Sequence, residues 1–305
     1  FEVYAFSNNT QFNNKRNEAG DLYREYPKID YKDGDFTIDT HLLLFNFISS
    51  KMTAKEYEEG MLNLHFLATK YSYDRYAYRG RNFDYDTAKA EQWKDDLPSV
   101  PRGFQLSSTP LNDTIMAAMK MVPAFQKKYN IDKMNTVFLT DGASDGGERI
   151  VTTDEDVEPN TDRWATKRFG QNLKFKEVHY DTNILLTDRL TKKTYKVGES
   201  SGYRSKRRGL TDCLLKALKK RTGCKVLGFY VDEKKTLSNH TLNKYFPHHD
   251  YYGAGNKVYD RKKIKAEFRK NRVLVVKDNT GYDELYLLAG GNMNVEDGPM
   301  ATPSE

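Results

Sequence analysis

Apolar residues recur along this chain with two spacings, a period of two and a period near 3.6, and the switches between them outline an α/β protein. Phe1 to Asn8 alternate as a strand does, and Asn8 to Asp39 is polar, with Gly20 and Gly34, and reads as a loop or insertion. Leu42 to Phe47 is expected to begin an apolar helix. Thr53 and Glu56 then form a capping box, and Tyr57, Met61, Leu64, Phe66 and Leu67 make the stripe of the helix it opens. Tyr71 to Asp86 alternates tyrosines with charges; such a segment either stacks on bases or packs as a surface loop, and packing is the expectation.

Leu111, Ile115, Met119, Val122 and Phe125 share one side of the next helix, with Asn112 and Asp113 in its first turn. Pro123 is expected to bend or shorten it, because proline removes a donor and crowds the preceding turn. An apolar strand from Met134 to Thr140 then stops at Asp141-Gly142. Phe175–Tyr180 and Lys193–Val197, joined through a Thr-Asp-Arg-Leu-Thr turn region, read as a β-hairpin insertion. Leu210, Leu214, Ala217 and Leu218 predict a helix that stops at Lys219, Lys220, Arg221 and Gly223. Cys224–Val231 is almost continuously apolar, as a strand covered on both faces should be. A basic helix over Lys262–Lys270, a strand over Arg272–Lys277, a turn at Asn279-Thr280-Gly281 and a strand over Leu285–Leu288 complete the order.

Composition narrows the class. With 305 residues, 38% hydrophobic and 13% aromatic, the chain has material for a large core, and one elaborated domain over residues 1–293 is preferred, with insertions at about 9–104 and 146–205. The tail, 294–305, is polar and expected to be loose. No apolar run approaches the roughly twenty residues that span a bilayer, so no membrane partner is expected. Only Cys213 and Cys224 are present, outside metal-ligand spacing, which fits a reducing compartment and a cytoplasmic protein. The net charge of +6 is uneven, crowding into Arg204–Arg221 and Arg261–Arg272. Either cluster could meet nucleic acid or an acidic protein face, but no nucleic-acid motif accompanies them and solvated outer faces of helices are the expectation.

Candidate chemistry is sparse. Thr109, in the turn Ser107-Ser108-Thr109-Pro110-Leu111, and Asp141, at the end of the following strand, offer a hydroxyl and a carboxylate to a small divalent cation. The acidic stretch with Asp145, Glu148, Asp154, Glu155 and Asp156 is expected to solvate itself. His240, His248, His249 and Asp250 lack helical i, i+4 spacing and read as a structural loop ahead of a zinc site. Without a phosphate-cradling glycine loop, a Gly-x-Ser-x-Gly elbow or a His-Glu-x-x-His pair, no enzyme activity is expected of the chain alone.

Thr109-Pro110-Leu111 and Thr140-Asp141-Gly142 together resemble two of the three ligand segments of the von Willebrand factor A (VWA) domain, which holds magnesium at a metal-ion-dependent adhesion site, or MIDAS. The third, Asp-x-Ser-x-Ser, does not occur, and Phe1–Asn8 looks like the second strand of such a domain. The resemblance implies a Rossmann-like, mostly parallel sheet with helices on both faces, with the first strand and metal loop missing through truncation and Mg2+ bound at an incomplete site by Thr109 and Asp141. It is nearest to the VWA subunits that work with ring-shaped AAA+ ATPases, as in magnesium and cobalt chelatases, including versions carried by large tailed bacteriophages. The implied function is a cytoplasmic, metal-dependent binding subunit docking on an AAA+ motor or on a client with an acidic ligand residue. The alternative is a phage-type structural or nucleic-acid-associated protein that uses the fold as a scaffold and its basic helices as contact surface.

Overall fold

Residues 42–49 form a strand, not the start of a helix, and this changes the first part of the fold. Leucine favours helix in isolation, but here three leucines precede Phe-Asn-Phe-Ile, and pairing with the opening strand overrides that preference. Strand β1 (Glu2–Asn8) runs antiparallel to β4 (Leu42–Ser49), while β2 (Asn14–Arg16) pairs with β3 (Leu22–Arg24). This computed structural model describes residues 1–8, 14–16, 22–24, 29–37, 42–79, 109–140, 144, 149–159, 173–176, 184–197, 203–232, 237–246, 259–277 and 280–289. Contacts divide the chain into two units, Phe1–Thr114 with Asp145–Val178, and Ile115–Ser144 with His179–Glu305.

In the first unit, helix α1 (Ala54–Arg79) opens on the expected capping box, with Thr53 N donating to Glu56 Oε2 at 2.8 Å and Glu56 N donating to Thr53 Oγ1 at 3.3 Å. The packed stripe is Gly60, Leu64 and Leu67, at i, i+4 and i+7. It is rotated from the expected one, and Tyr57 and Met61 are exposed. Gly60 is the cause: a Cβ there would collide with the backbone carbonyl of Phe47, so only glycine lets α1 approach β4 this closely. Phe47, Ile48 and Leu67 form the core of this contact, with Ala5, Phe45 and Leu64 beside them. The helix continues through Tyr71 to Arg79 where a loop was expected, and residues 80–86 lie outside the described residues.

The polar insertion is built into the same unit. β6 (Ile150–Thr152) pairs antiparallel with β7 (Lys174–Lys176), so the strand expected around Phe175 joins β6 and not the hairpin. Residues 33–37 line the other side of β6: Gly34 N donates to Val151 O, Val151 N to Asp35 O and Thr37 N to Arg149 O. Asp33 ties the arrangement, its Oδ1 accepting from Thr152 Oγ1 at 3.0 Å and Thr153 N at 3.1 Å.

In the second unit, α2 (Leu111–Tyr129) enters from the boundary, buries Ile115, Met119 and Val122, and runs past Pro123 to Tyr129 without ending there. It leads to β5 (Asn135–Thr140), then to a hairpin of β8 (Leu185–Asp188) and β9 (Lys193–Lys196). The hairpin's first strand lies directly before the turn, because Asp188 closes that turn by accepting from Leu190 N and Thr191 Oγ1, and Lys192 takes a left-handed φ of 58°. Helix α3 (Tyr203–Thr222) buries Leu210, Leu214, Ala217 and Leu218 as expected and stops at Gly223, whose φ is +66°. β10 (Lys225–Asp232), α4 (Asn239–Tyr245), α5 (Arg261–Asn271), β11 (Val273–Val276) and β12 (Glu284–Ala289) follow.

The sheet order is β11-β12-β10-β5, with β5, β10 and β12 parallel and β11 antiparallel at the edge, so the fold class is mixed α/β. Asp283 locks the start of the ladder: its N–H donates to Val226 O, while its carboxylate accepts from Val226 N at 2.7 Å and Lys219 Nζ at 3.1 Å. Phe138, Val226, Leu285, Leu287, Leu274 and Val276 bury one face. The other face is more open than a strand covered on both sides predicts: Leu227, Phe229 and Val231 are only half-buried, and Val137 and Leu139 are 54% and 62% exposed. Phe229 and Tyr286 stack there at 4.9 Å.

One ion pair fastens the hairpin to α3. Arg221 donates from Nε and Nη2 to the two carboxylate oxygens of Asp188, at 2.9 and 2.6 Å, and these bonds hold the Asp188 carboxyl well below its ordinary range despite burial. Arg221→Ala strands that buried carboxylate and is expected to cost about 3 kcal/mol in denaturant unfolding. The Asp188 contribution is complete above its unfolded value near 4 and is lost as pH falls through the lower folded value. Wild-type melting temperature should therefore fall below about pH 4, and Asp188→Asn should make that limb shallower. Gly60→Ala is expected to destabilise the first unit by about 1–3 kcal/mol, read from the unfolding midpoint.

Candidate functional site

The first turn of α2 is polar and buried. Thr109 is half-buried just before the helix, Pro110 takes a place where a missing N–H costs nothing, and Leu111 N donates to Thr109 O at 2.8 Å. Thr114 donates from both its N–H and its hydroxyl to Pro110 O, at 3.0 and 2.8 Å. Asn112 is fully buried and Asp113 nearly so, and neither lacks a partner. Burial of an amide and a carboxylate is costly unless they are held, and the positive end of the helix dipole favours the carboxylate here.

The parallel strands of the second unit place their carboxyl ends on one edge. β5 ends at the buried Thr140, in register with Tyr230, and β10 ends at Asp232, in register with Ala289. Asp141 follows Thr140 directly and lies, with Gly142, outside the described residues. Asp232 was not singled out by sequence reasoning. Its signal was available, since Val231-Asp232 repeats the pattern of an apolar strand stopped by a carboxylate. Its Oδ2 accepts from Ser238 N at 3.0 Å and Thr241 Oγ1 at 2.8 Å, while Ser238 caps α4 by accepting from Thr241 N. Asp232 is thus a positioning group that ties the start of α4 to the end of β10.

Thr109 falls in the first unit, whereas Asp141 falls in the second and outside the described residues; a hydroxyl and a carboxylate are oxygen donors of the kind a hard divalent cation takes. Among the described residues no group of three or more His, Cys, Asp or Glu side chains converges. Where the acidic loop is described, Asp156 N donates to Asp154 Oδ1 and Lys174 Nζ to the carbonyls of Asp154 and Glu155. His240 falls in α4, whereas His248, His249, Asp250, Asp145, Glu148 and the tail 294–305 lie outside the described residues. Both cysteines are free and buried, and burial pushes the Cys213 thiol up, away from nucleophilic chemistry.

Compared with protein-family models, with curated proteins and with solved structures, the chain matches none. Among the described residues no helix is long and apolar enough to cross a membrane. Asp232→Ala removes the acceptor that Ser238 N and Thr241 share and is expected to lower stability by about 1–3 kcal/mol, with earlier exchange of the α4 amides in hydrogen exchange.

Proposed function

We propose that this chain is a VWA-type binding module that captures a carboxylate of a protein partner through a magnesium site, docking on an AAA+ ATPase or its client. The observation that carries this reading is the order of elements around β5. Helix α2, opened by Thr109-Pro110-Leu111, runs into β5; β5, β10 and β12 are parallel; and Asp141 follows at the carboxyl end of β5. Open α/β sheets gather their ligands at that edge.

Thr109 and Asp141 would hold the ion. Magnesium, when bound, supplies an electrophilic centre whose remaining positions can take a carboxylate oxygen. The Thr109 hydroxyl contributes an oxygen without charge, and Asp141 contributes one negative charge, so the pair leaves net positive charge for an incoming Asp or Glu. Buried Asn112 and Asp113 stiffen the turn behind Thr109, and in the second unit Ser238 N donates to Asp232 at the end of β10. Such an arrangement binds and does not turn over substrate, so ATP hydrolysis belongs to the partner. Cytoplasmic residence is part of the same reading, supported by two free, buried thiols.

In magnesium the protein is expected to co-purify with an AAA+ ATPase or its client, and Thr109→Ala or Asp141→Ala should weaken that association by about tenfold or more, as loss of a metal ligand does. Association that persists unchanged in EDTA would remove the metal from the mechanism.

A further inference from the structure

Helix α5 carries charge that the fold does not use. It has one fully buried residue, Phe268, and Ile264 and Lys265 flank it half-buried. At 100° per residue, Arg269, Lys262, Ala266, Lys270 and Lys263 follow one another around about 120° of the opposite side. All five are exposed, four are cationic and the central one is small. Glu267 stands at the margin of this arc. Among the described residues, no ion pair reaches Lys262, Lys263, Lys265, Arg269 or Lys270.

The arrangement also runs against the helix's own electrostatics. Arg269 and Lys270 suit the negative carboxyl end of the dipole, but Lys262 and Lys263 occupy the first turn, which contains no acidic residue. Asp260 caps the turn from outside, accepting from Lys262 N at 2.9 Å and Lys263 N at 3.3 Å, and so keeps it formed despite the two ammonium groups. A merely solvated face would not need cations at the positive end; residues that break a local rule at a cost to stability mark function. Arg261 is different, because its guanidinium is spent on Phe246 O and Asn243 Oδ1.

We infer that this face of α5 is a docking surface for the phosphate backbone of a nucleic-acid duplex, read without regard to sequence. The two cation pairs, Lys262 with Lys263 and Arg269 with Lys270, lie seven residues apart, or about 10 Å along the axis. That separation is close to the roughly 12 Å width of a major groove, so each pair can meet one phosphate rail while Ala266 lets the helix approach between them. Beyond the Ala266 methyl the face has no aliphatic or aromatic side chain to enter a bilayer and none to anchor a protein interface, which sets duplex phosphate ahead of an anionic membrane or an acidic protein. The surface is independent of the proposed metal site.

The test is binding of the whole protein to a fluorescein-labelled duplex of about 20 mixed-sequence base pairs, followed by anisotropy as salt is raised. Four phosphate contacts predict a slope of log affinity against log salt near −3.6, a loss of about 150-fold between 50 and 200 mM. Lys262→Gln/Lys263→Gln/Arg269→Gln/Lys270→Gln should bring the slope near zero. Lys262→Gln/Lys263→Gln alone should halve it while keeping or raising the melting temperature, because it relieves the first turn. Wild-type protein that does not bind duplex at 50 mM salt, or a four-site variant with an unchanged slope, overturns the assignment. So does equal affinity for phosphatidylserine vesicles or polyglutamate at matched charge.

Discussion

The second unit depends on β10 being hydrogen-bonded on both sides in parallel, by β5 in one direction and β12 in the other. Parallel strands cannot be joined by tight turns, so each ladder needs a long crossover, and the residues between β5 and β10 and between β10 and β12 provide one each. Asp283 sets the register at the start of the second ladder, where one carboxylate answers a backbone N–H of β10 and the ammonium of Lys219 on α3. Once that register is set, Val226, Leu285 and Leu287 fall on one face and the carboxyl ends of three strands fall on one edge. The apolar core and the candidate edge therefore have the same origin.

Close backbone approach plays the comparable part in other contacts. Gly60 lets α1 meet β4, and Gly281 lets the turn before β12 reach α3, where a Cβ would stand 2.6 Å from Asp212 O. Gly281 N also donates to Asp212 Oδ1 at 2.9 Å. In both places a side chain would have separated the layers, and the loss of packing would exceed the entropic cost of glycine.

Among the described residues, polar groups are buried where geometry answers them. Asp188 has Arg221, Leu190 N and Thr191; Asp232 has Ser238 and Thr241; Asn112 and Asp113 sit engaged in the first turn of α2. Lys262, Lys263, Arg269 and Lys270 of α5 are the contrast, exposed and without an ion pair among the described residues. One set of charges serves the fold, and the other is available to a partner. The proposed capture of a carboxylate and the proposed docking on phosphate rest on different residues.

The sequence by itself determined the helices with strong stripes, α2 and α3, and the strands β5, β10, β11 and β12, because their apolar periodicity or continuous apolar runs report local geometry directly. It also determined the Thr53–Glu56 capping box, the stop at Gly223 and the strand leading to Asp141, all of which act over a few residues. Tertiary structure decided the rest. Leu42–Ser49 became a strand because β1 was there to pair with it, the α1 stripe rotated to Gly60 because the constraint is a carbonyl on β4, and β7 chose β6 over the hairpin. Asp232 gained its role from Ser238 N and Thr241 Oγ1, which donate to it from the start of α4, and the exposure of Val137 and Leu139 appears only in the assembled sheet. Local patterns carry propensity, whereas partner choice and exposure depend on contacts between residues far apart in the chain, which no window of neighbouring positions contains.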